Sequence, residues 1–448
     1  MIDFFRRKAR PTGADPDRIP AGAIQFHPSS FADPSGRVFS ADGKLYRAVP
    51  AENAAFCTRL LDTGVVAVLV EKHLLVPTVR SPLKAEGFAL VLEHTRIPVV
   101  SYPFEWSAEM LRAAALHTLD LLEELAGRGL TLKDAHGWNV LFEGCRPVFV
   151  DFGSIVEASP GQAWRPYVEQ EFLEYFLYPL ELMAAGHWRI VRTLLRDFER
   201  GISIDLCASL AGMAIPPRPE TAQSAAFAWY RERIRGLNLS PSSTAWAAYY
   251  DGHFPALTPD ANWTPKHHAI HRLLREHRPA SVLDIGSNRG WYAMLAAKEG
   301  ARAVAYDNDE LCINQLFTDA VQGGLDVQPL VMSCVYPSPR YGLGSGLVEA
   351  AVERLRCDLV LALALVHHMV FKMHLNFDQI ASGLAAYAQK TLVVEFPPHD
   401  DIHVSQWMTD HYAWYTLENF TRALRAHFPK INPVASHPTP RILLVCER

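Results

Sequence analysis

Ser281-Val282-Leu283-Asp284-Ile285-Gly286-Ser287-Asn288-Arg289-Gly290 reads as a strand that runs into a glycine-punctuated turn, with a helix expected over Trp291–Lys298. Val282 and Leu283 have the continuous apolar character of a buried parallel strand. Asp284 ends that run, and Gly286 and Gly290 let backbone approach a ligand without a Cβ in the way. Asp307 follows 17 residues after Gly290 and closes a second apolar run, Ala303–Tyr306. A carboxylate at that place can accept both hydroxyls of a ribose.

Glycine spacing separates two cofactor classes. A dinucleotide site uses G-x-G-x-x-G, so that a pyrophosphate sits on the helix N-terminus. Here Asn288 and Trp291 stand at the second and third glycine positions. The pattern D-x-G-x-N-x-G resembles instead motif I of class I S-adenosylmethionine-dependent methyltransferases. That resemblance extends over roughly residues 266–448. It implies a Rossmann-like, doubly wound α/β sheet with an antiparallel edge. It also implies S-adenosylmethionine as cofactor, held by Asp284, Gly286, Ser287, Asn288, Gly290 and Asp307.

Downstream, Asp309 is expected to cap a helix ending near Gly323-Gly324, and a third strand, Val327–Met332, delivers Ser333 and Cys334. The family resemblance assigns the residue just past that strand to the adenine amino group, here Ser333 with Cys334 beside it. A helix is expected over Leu347–Arg356. Asp358–Leu365 reads as a central strand, with Leu365 at the cofactor and His367-His368 at the crevice end. Alternation along a strand sends one imidazole to the acceptor and the other to the core. His368 is the favoured base and His367 the alternative, needed only where the acceptor must lose a proton. His367, His368, His399 and Asp400 lack metal-ligand spacing, so no metal is expected. A strand ending at Glu395, a helix over Thr416–Phe428 and the runs Ile431–Ala435 and Arg441–Cys446 complete this half.

Upstream, Gly36–Val49 is read as two strands joined by an Asp42-Gly43 turn. A helix near Glu52–Leu61 follows, then strands near Leu74–Val79 and Phe88–Leu92. Ser107 is expected to cap a helix to Ala126. Asp134, Asn139 and Asp151-Phe152-Gly153 behind an apolar strand resemble the catalytic and metal-binding loops of protein-kinase-like enzymes. The resemblance implies Asp134 as base and Asn139 with Asp151 as Mg²⁺ ligands. Three departures point to a kinase-like scaffold without phosphotransfer: no glycine-rich phosphate loop, Arg47 in place of a strand-three lysine, and Leu132-Lys133 before the aspartate. Helices are expected over Glu169–Ala184, His187–Arg200 and Ala222–Leu237.

The resulting organisation is a flexible tail (1–22), a kinase-like domain (23–243), a linker or lid (244–263) and a methyltransferase domain (264–448). Trp246, Tyr249, Tyr250 and His253 are candidates for an aromatic cover over the cofactor. A length of 448 residues exceeds one core, and a net charge of -5 gives no footprint for bulk nucleic acid. Seven cysteines without C-x-x-C pairs fit reduced thiols and a cytoplasmic protein. The basic opening Met1–Arg10 lacks the apolar core of a signal peptide, and no apolar run reaches membrane length. Three function classes stand: a methyltransferase with an inactive kinase-like partner domain, a bifunctional kinase-methyltransferase, and a non-catalytic binding or scaffold protein. The first is favoured, with O- or N-methylation of a small molecule or glycan. Neither the acceptor nor the oligomeric state follows from the sequence.

Overall fold

The computed structural model describes residues 17–28, 30, 33–159, 166–212, 223–240, 244, 246 and 254–448. Most of the expected N-terminal tail lies outside them, as do Tyr249, Tyr250 and His253.

In the N-terminal half, β1 (Arg18–Ile19), β2 (Arg37–Ala41) and β3 (Lys44–Val49) lead into α1 (Ala51–Asp62) and α2 (Val65–Glu71). β4 (Thr78–Arg80), β5 (Lys84–Ala85) and β6 (Leu90–His94) follow. Strands β2-β3-β6-β4 form an antiparallel sheet, and β1 pairs with β5. The buried helix α3 (Ala108–Ala126) starts at its Ser107 cap, as the capping signal predicts. Beyond it lie β7 (Leu130–Leu132), the hairpin β8 (Val140–Glu143) and β9 (Arg146–Phe149), and β10 (Ile155–Glu157), which pairs with β7. The helical region is α4 (Pro166–Phe172), a π-helical turn over Leu173–Leu177, α5 (Tyr178–Ala184), α6 (Trp188–Leu194), α7 (Ile204–Ala211) and α8 (Gln223–Gly236).

The C-terminal half comprises α9 (Pro265–His277), β11 (Ser281–Ile285), α10 (Trp291–Lys298), β12 (Arg302–Asp307), α11 (Glu310–Gly323) and β13 (Val327–Val331). Then come α12 (Ala351–Arg354), β14 (Cys357–Ala362), α13 (Val366–Phe371), α14 (Phe377–Tyr387), β15 (Ala388–Phe396), α15 (Leu417–Arg425), β16 (Lys430–Ala435) and β17 (Ile442–Glu447). The seven strands run in the order β13-β12-β11-β14-β15-β17-β16. The first five are parallel, and β17 and β16 add the expected antiparallel edge. Side chains alternate between two cores. Val282, Ala305, Leu361 and Val393 pack with Leu274 of α9, Leu295 of α10 and Leu316 of α11. Leu283, Tyr306, Val360 and Val394 pack with Val370 of α13, Leu384 of α14 and Phe420 of α15. Helices therefore cover both faces, and the fold is mixed α/β.

Several boundaries differ from the sequence reading. The strand expected to reach Leu365 stops at Ala362, where the chain turns through Ala364 at φ 53° and enters α13. His367 and His368 are thus helical, and strand alternation does not govern them. The helix expected over Leu347–Arg356 is only α12, because Tyr341 and Val348 form a bridge that holds the preceding segment extended. α6 ends at Leu194 rather than near Arg200. The strand expected at Leu74–Val79 lies at Thr78–Arg80, while α2 and α7 were not foreseen. Among the described residues, no single helix is long and apolar enough to cross a membrane. All seven cysteines are free.

Candidate functional site

β11 is hydrogen-bonded to β12 on one side and β14 on the other, the point at which the strand order reverses. Loops leaving the two central strands diverge there and open a crevice at their carboxyl ends. The loop after β11 is held by its neighbour: the amides of Gly286 and Ser287 both donate to the Tyr306 carbonyl, at 2.9 and 3.1 Å. Gly286 has φ 66°, and a Cβ on it would lie 2.6 Å from Cδ2 of Leu365. Gly290 has φ 67°, and a Cβ there would meet Leu316 of α11 at 2.5 Å. Both glycines are therefore required by close approach as well as by backbone conformation.

The Asn288 amide donates to Oδ2 of Asp307 at 2.8 Å, and the Asp309 amide donates to Oδ1 at 3.0 Å. Asp307 is thus fixed in rotamer yet remains partly exposed. Asp284 differs. It is 2% exposed, and its Oδ2 has no hydrogen-bond partner among the described residues. Burial first, and then the charge of Asp307, push its carboxyl up to about 7. Burial also raises Asp307, against the amides that it accepts. Neither carboxylate has an ion-pair partner among the described residues. Such a pair favours a ligand that brings positive charge and disfavours one that brings a pyrophosphate.

Ser333 and Cys334 sit just past β13. The Ser333 hydroxyl accepts from the amides of Val335 and Tyr336, both at 3.2 Å, so it first caps its own turn. Burial pushes the Cys334 thiol up to about 11, so at neutral pH it is a protonated, weakly polar wall.

On the other side of the crevice, His367 is 2% exposed and His368 is partly exposed. One ring is buried and its neighbour is partly open, a difference set by helical geometry rather than by the strand alternation expected from the sequence. Burial, then His368 and Arg441, lower His367 to about 3. Burial, then Lys372, lower His368 to about 4. Both rings are neutral at neutral pH. Trp407, which the sequence reading did not single out, packs against both at 5.9 and 5.7 Å between ring centroids. Trp246 meets His368 edge-on at 5.6 Å, and its carbonyl accepts from the Asn288 side chain at 3.1 Å. The one described member of the expected aromatic cover therefore bridges the glycine loop and the histidine.

A second cleft, of about 450 Å³, lies in the N-terminal half and contains Asp134, Asn139 and Asp151 together with Arg47. Arg47 Nη2 donates to Asp151 Oδ1 at 2.7 Å, and the Gly153 amide donates to the same oxygen at 3.1 Å. Arg47 is 5% exposed, anchored on β3 and further bonded to the Gly36 carbonyl. Lys133 pairs with Asp33 at 2.7 Å rather than reaching Asp134. Leu347 and Glu349 of the C-terminal half close one wall.

No family model matches the chain. Over 462 aligned residues it is 27% identical to the nodulation protein NoeA of Rhizobium meliloti (strain 1021), covering 94% of this chain and 95% of that one. Solved structures that it resembles in part include the bifunctional kinase-methyltransferase WbdD (17% identity, 42% of this chain and 40% of that one, TM-score 0.30). Another is the magnesium protoporphyrin IX methyltransferase ChlM of Synechocystis PCC 6803 with bound SAM (14%, 40% and 76%, TM-score 0.29). The chain spans less than half the length of the WbdD chains.

Proposed function

We propose that this chain is an S-adenosylmethionine-dependent methyltransferase carrying a kinase-like N-terminal domain that does not transfer phosphate. The observation that carries the reading is the pair Asp284 and Asp307 at the strand-order reversal, a buried carboxylate oxygen without a partner beside a rotamer-locked, partly open carboxylate. S-adenosylmethionine brings an electrophilic methyl group on a sulfonium, plus an ammonium and a ribose, which match those two carboxylates in charge and hydrogen bonding. Gly286 and Gly290 give backbone access, while Ser287, Asn288 and Leu365 line the loop's approach. Asp307 accepts the ribose hydroxyls, and Ser333 with Cys334 borders the adenine.

The chain's own task is then mainly to orient the acceptor and exclude water. His368, neutral and flanked by Trp246 and Trp407, accepts a proton at its free ring nitrogen where the acceptor loses one. His367 supports it from the core. The acceptor is a small molecule or a glycan methylated on oxygen or nitrogen. In the N-terminal domain, the convergence of Asp134, Asn139 and Asp151 supports the kinase-like reading. Arg47 on Asp151 supports loss of phosphotransfer, because in-line transfer needs that carboxylate for metal.

Calorimetry with S-adenosylmethionine and NAD tests the cofactor. Binding of the former only is expected, with Asp307→Ala losing about 1.5–3 kcal/mol. Unchanged affinity in that variant, or tight NAD binding, sinks the reading.

A further inference from the structure

Two loops of the C-terminal half that border the proposed adenosine site are fastened to the N-terminal half through buried carboxylates. The first fastening is at α11. Glu310 is the residue after Asp309, whose amide orients Asp307. Although it begins a helix, Glu310 is 4% exposed and faces away from solvent. Its Oε1 accepts from the Ala108 amide at 2.7 Å, and its Oε2 pairs with Arg192 of α6. One turn on, Asn314 Oδ1 accepts from the Glu109 amide at 3.0 Å, and its Nδ2 donates to the Leu239 carbonyl at 3.2 Å. Ala108 and Glu109 are the first residues of α3, whose amides have no partner within their own helix. The start of α11 thus completes the start of α3, where the helix dipole also favours a carboxylate.

The second fastening is at the loop after β13. Ser338, five residues beyond Ser333, donates to Glu105 Oε1 at 2.6 Å. Arg354 of α12 pairs with the same carboxylate and donates to the Val100 carbonyl at 2.5 Å. Glu105 Oε2 accepts from the Tyr102 amide at 3.1 Å, and Glu105 is 1% exposed. Buried ion pairs of this kind add little net stability compared with apolar packing, but they fix register.

We propose that Glu310 and Glu105 are positioning residues for the cofactor site, so that cofactor affinity is a property of both halves rather than of the Rossmann-like sheet alone. The inference rests on the cofactor reading above. Glu310 acts through the Asp309 amide on Asp307, and Glu105 acts through Ser338 on the loop that carries Ser333.

The test is calorimetry of the full chain with S-adenosylhomocysteine, alongside amide hydrogen exchange over residues 286–312. Glu310→Ala is expected to bind about tenfold more weakly and to exchange faster in that segment, while Glu310→Gln, which keeps an acceptor for the Ala108 amide, recovers most of the affinity. Asn314→Ala is the milder variant for use where Glu310→Ala does not fold, with a loss of about threefold. Wild-type affinity and exchange in the folded variant that is measured overturns the inference alone, leaving these contacts as cement between halves. Failure of the wild-type chain to bind S-adenosylhomocysteine overturns the cofactor reading and the inference with it.

Discussion

At the carboxyl ends of β11 and β12, burial raises the proton affinity of both Asp284 and Asp307, and the charge of Asp307 raises Asp284 further, with no ion-pair partner among the described residues. In the N-terminal cleft, Asp151 lies 2.7 Å from Arg47, and that guanidinium is itself almost wholly buried. Both places gather carboxylates in a concave site. One leaves its negative charge for a ligand to balance; in the other, Arg47 balances Asp151 from within the chain, while Asp134 has no ion-pair partner among the described residues. A carboxylate count does not tell the two sites apart, but the buried cation on Asp151 does. The comparison makes four predictions of decreasing size.

The largest concerns Arg47. Replacing it by Met leaves Asp151 half-buried beside no cation, and breaking such a pair costs about 3 kcal/mol. Urea unfolding of Arg47→Met should show that loss, and Arg47→Met combined with Asp151→Leu should recover most of it. An undiminished single variant would mean that Asp151 is balanced by something other than Arg47. Next is His368. A neutral ring lowered to about 4 is a weak base, so its contribution falls at the low end of proton-transfer catalysis. His368→Ala should slow single-turnover methylation by ~10²-fold with cofactor affinity unchanged. The wild-type rate should be level from pH 5.5 to 8. If neither His367→Ala nor His368→Ala is slowed, the site works by orientation alone.

The third prediction uses the raised carboxyl of Asp284. Free protein holds its proton below about pH 7. A cationic ligand favours the ionised form, so binding at pH 6 must expel that proton. Affinity should fall as pH drops below 7, by at most about tenfold per pH unit. Calorimetry in two buffers of different ionisation enthalpy reads the proton directly. Proton uptake would indicate an anionic ligand and break the contrast between the two sites.

How far these sites were legible in the sequence differs in the same way. The turn glycines Gly286 and Gly290 could be read because a strand-to-helix turn at positive φ demands glycine at fixed spacing, and Asp307 could be placed as the residue closing the next strand. The helices Trp291–Lys298 and Glu310–Gly323 fell where their glycine and aspartate signals placed them. The short helix carrying His367 and His368 could not be read. Its apolar residues continue those of β14 without a break, and the turn is made at Ala364, which carries no turn signature. Trp407, Glu105 and Glu310 were invisible for another reason. Their roles depend on partners 39 to 249 residues away in the chain, such as Arg354 for Glu105, and no local pattern encodes that distance.

The smallest expected effect is none, and it is the sharpest test of the N-terminal site. Phosphotransfer in kinase-like enzymes depends on metal held by the aspartate of Asp-Phe-Gly and on cradled phosphates. Here Asp151 Oδ1 accepts from both Arg47 and the Gly153 amide. The β2–β3 connection is the two-residue Asp42-Gly43 turn, too short to fold over a triphosphate. A metal on Asp151 Oδ1 would have to displace a buried guanidinium, and one on Oδ2 would sit beside its positive charge. Thermal-shift assays with Mg·ATP should therefore leave the melting temperature unchanged, and no ATP turnover should appear. Mg-dependent stabilisation with turnover abolished by Asp151→Ala would show that Arg47 swings aside, and both sites would then belong to a bifunctional enzyme.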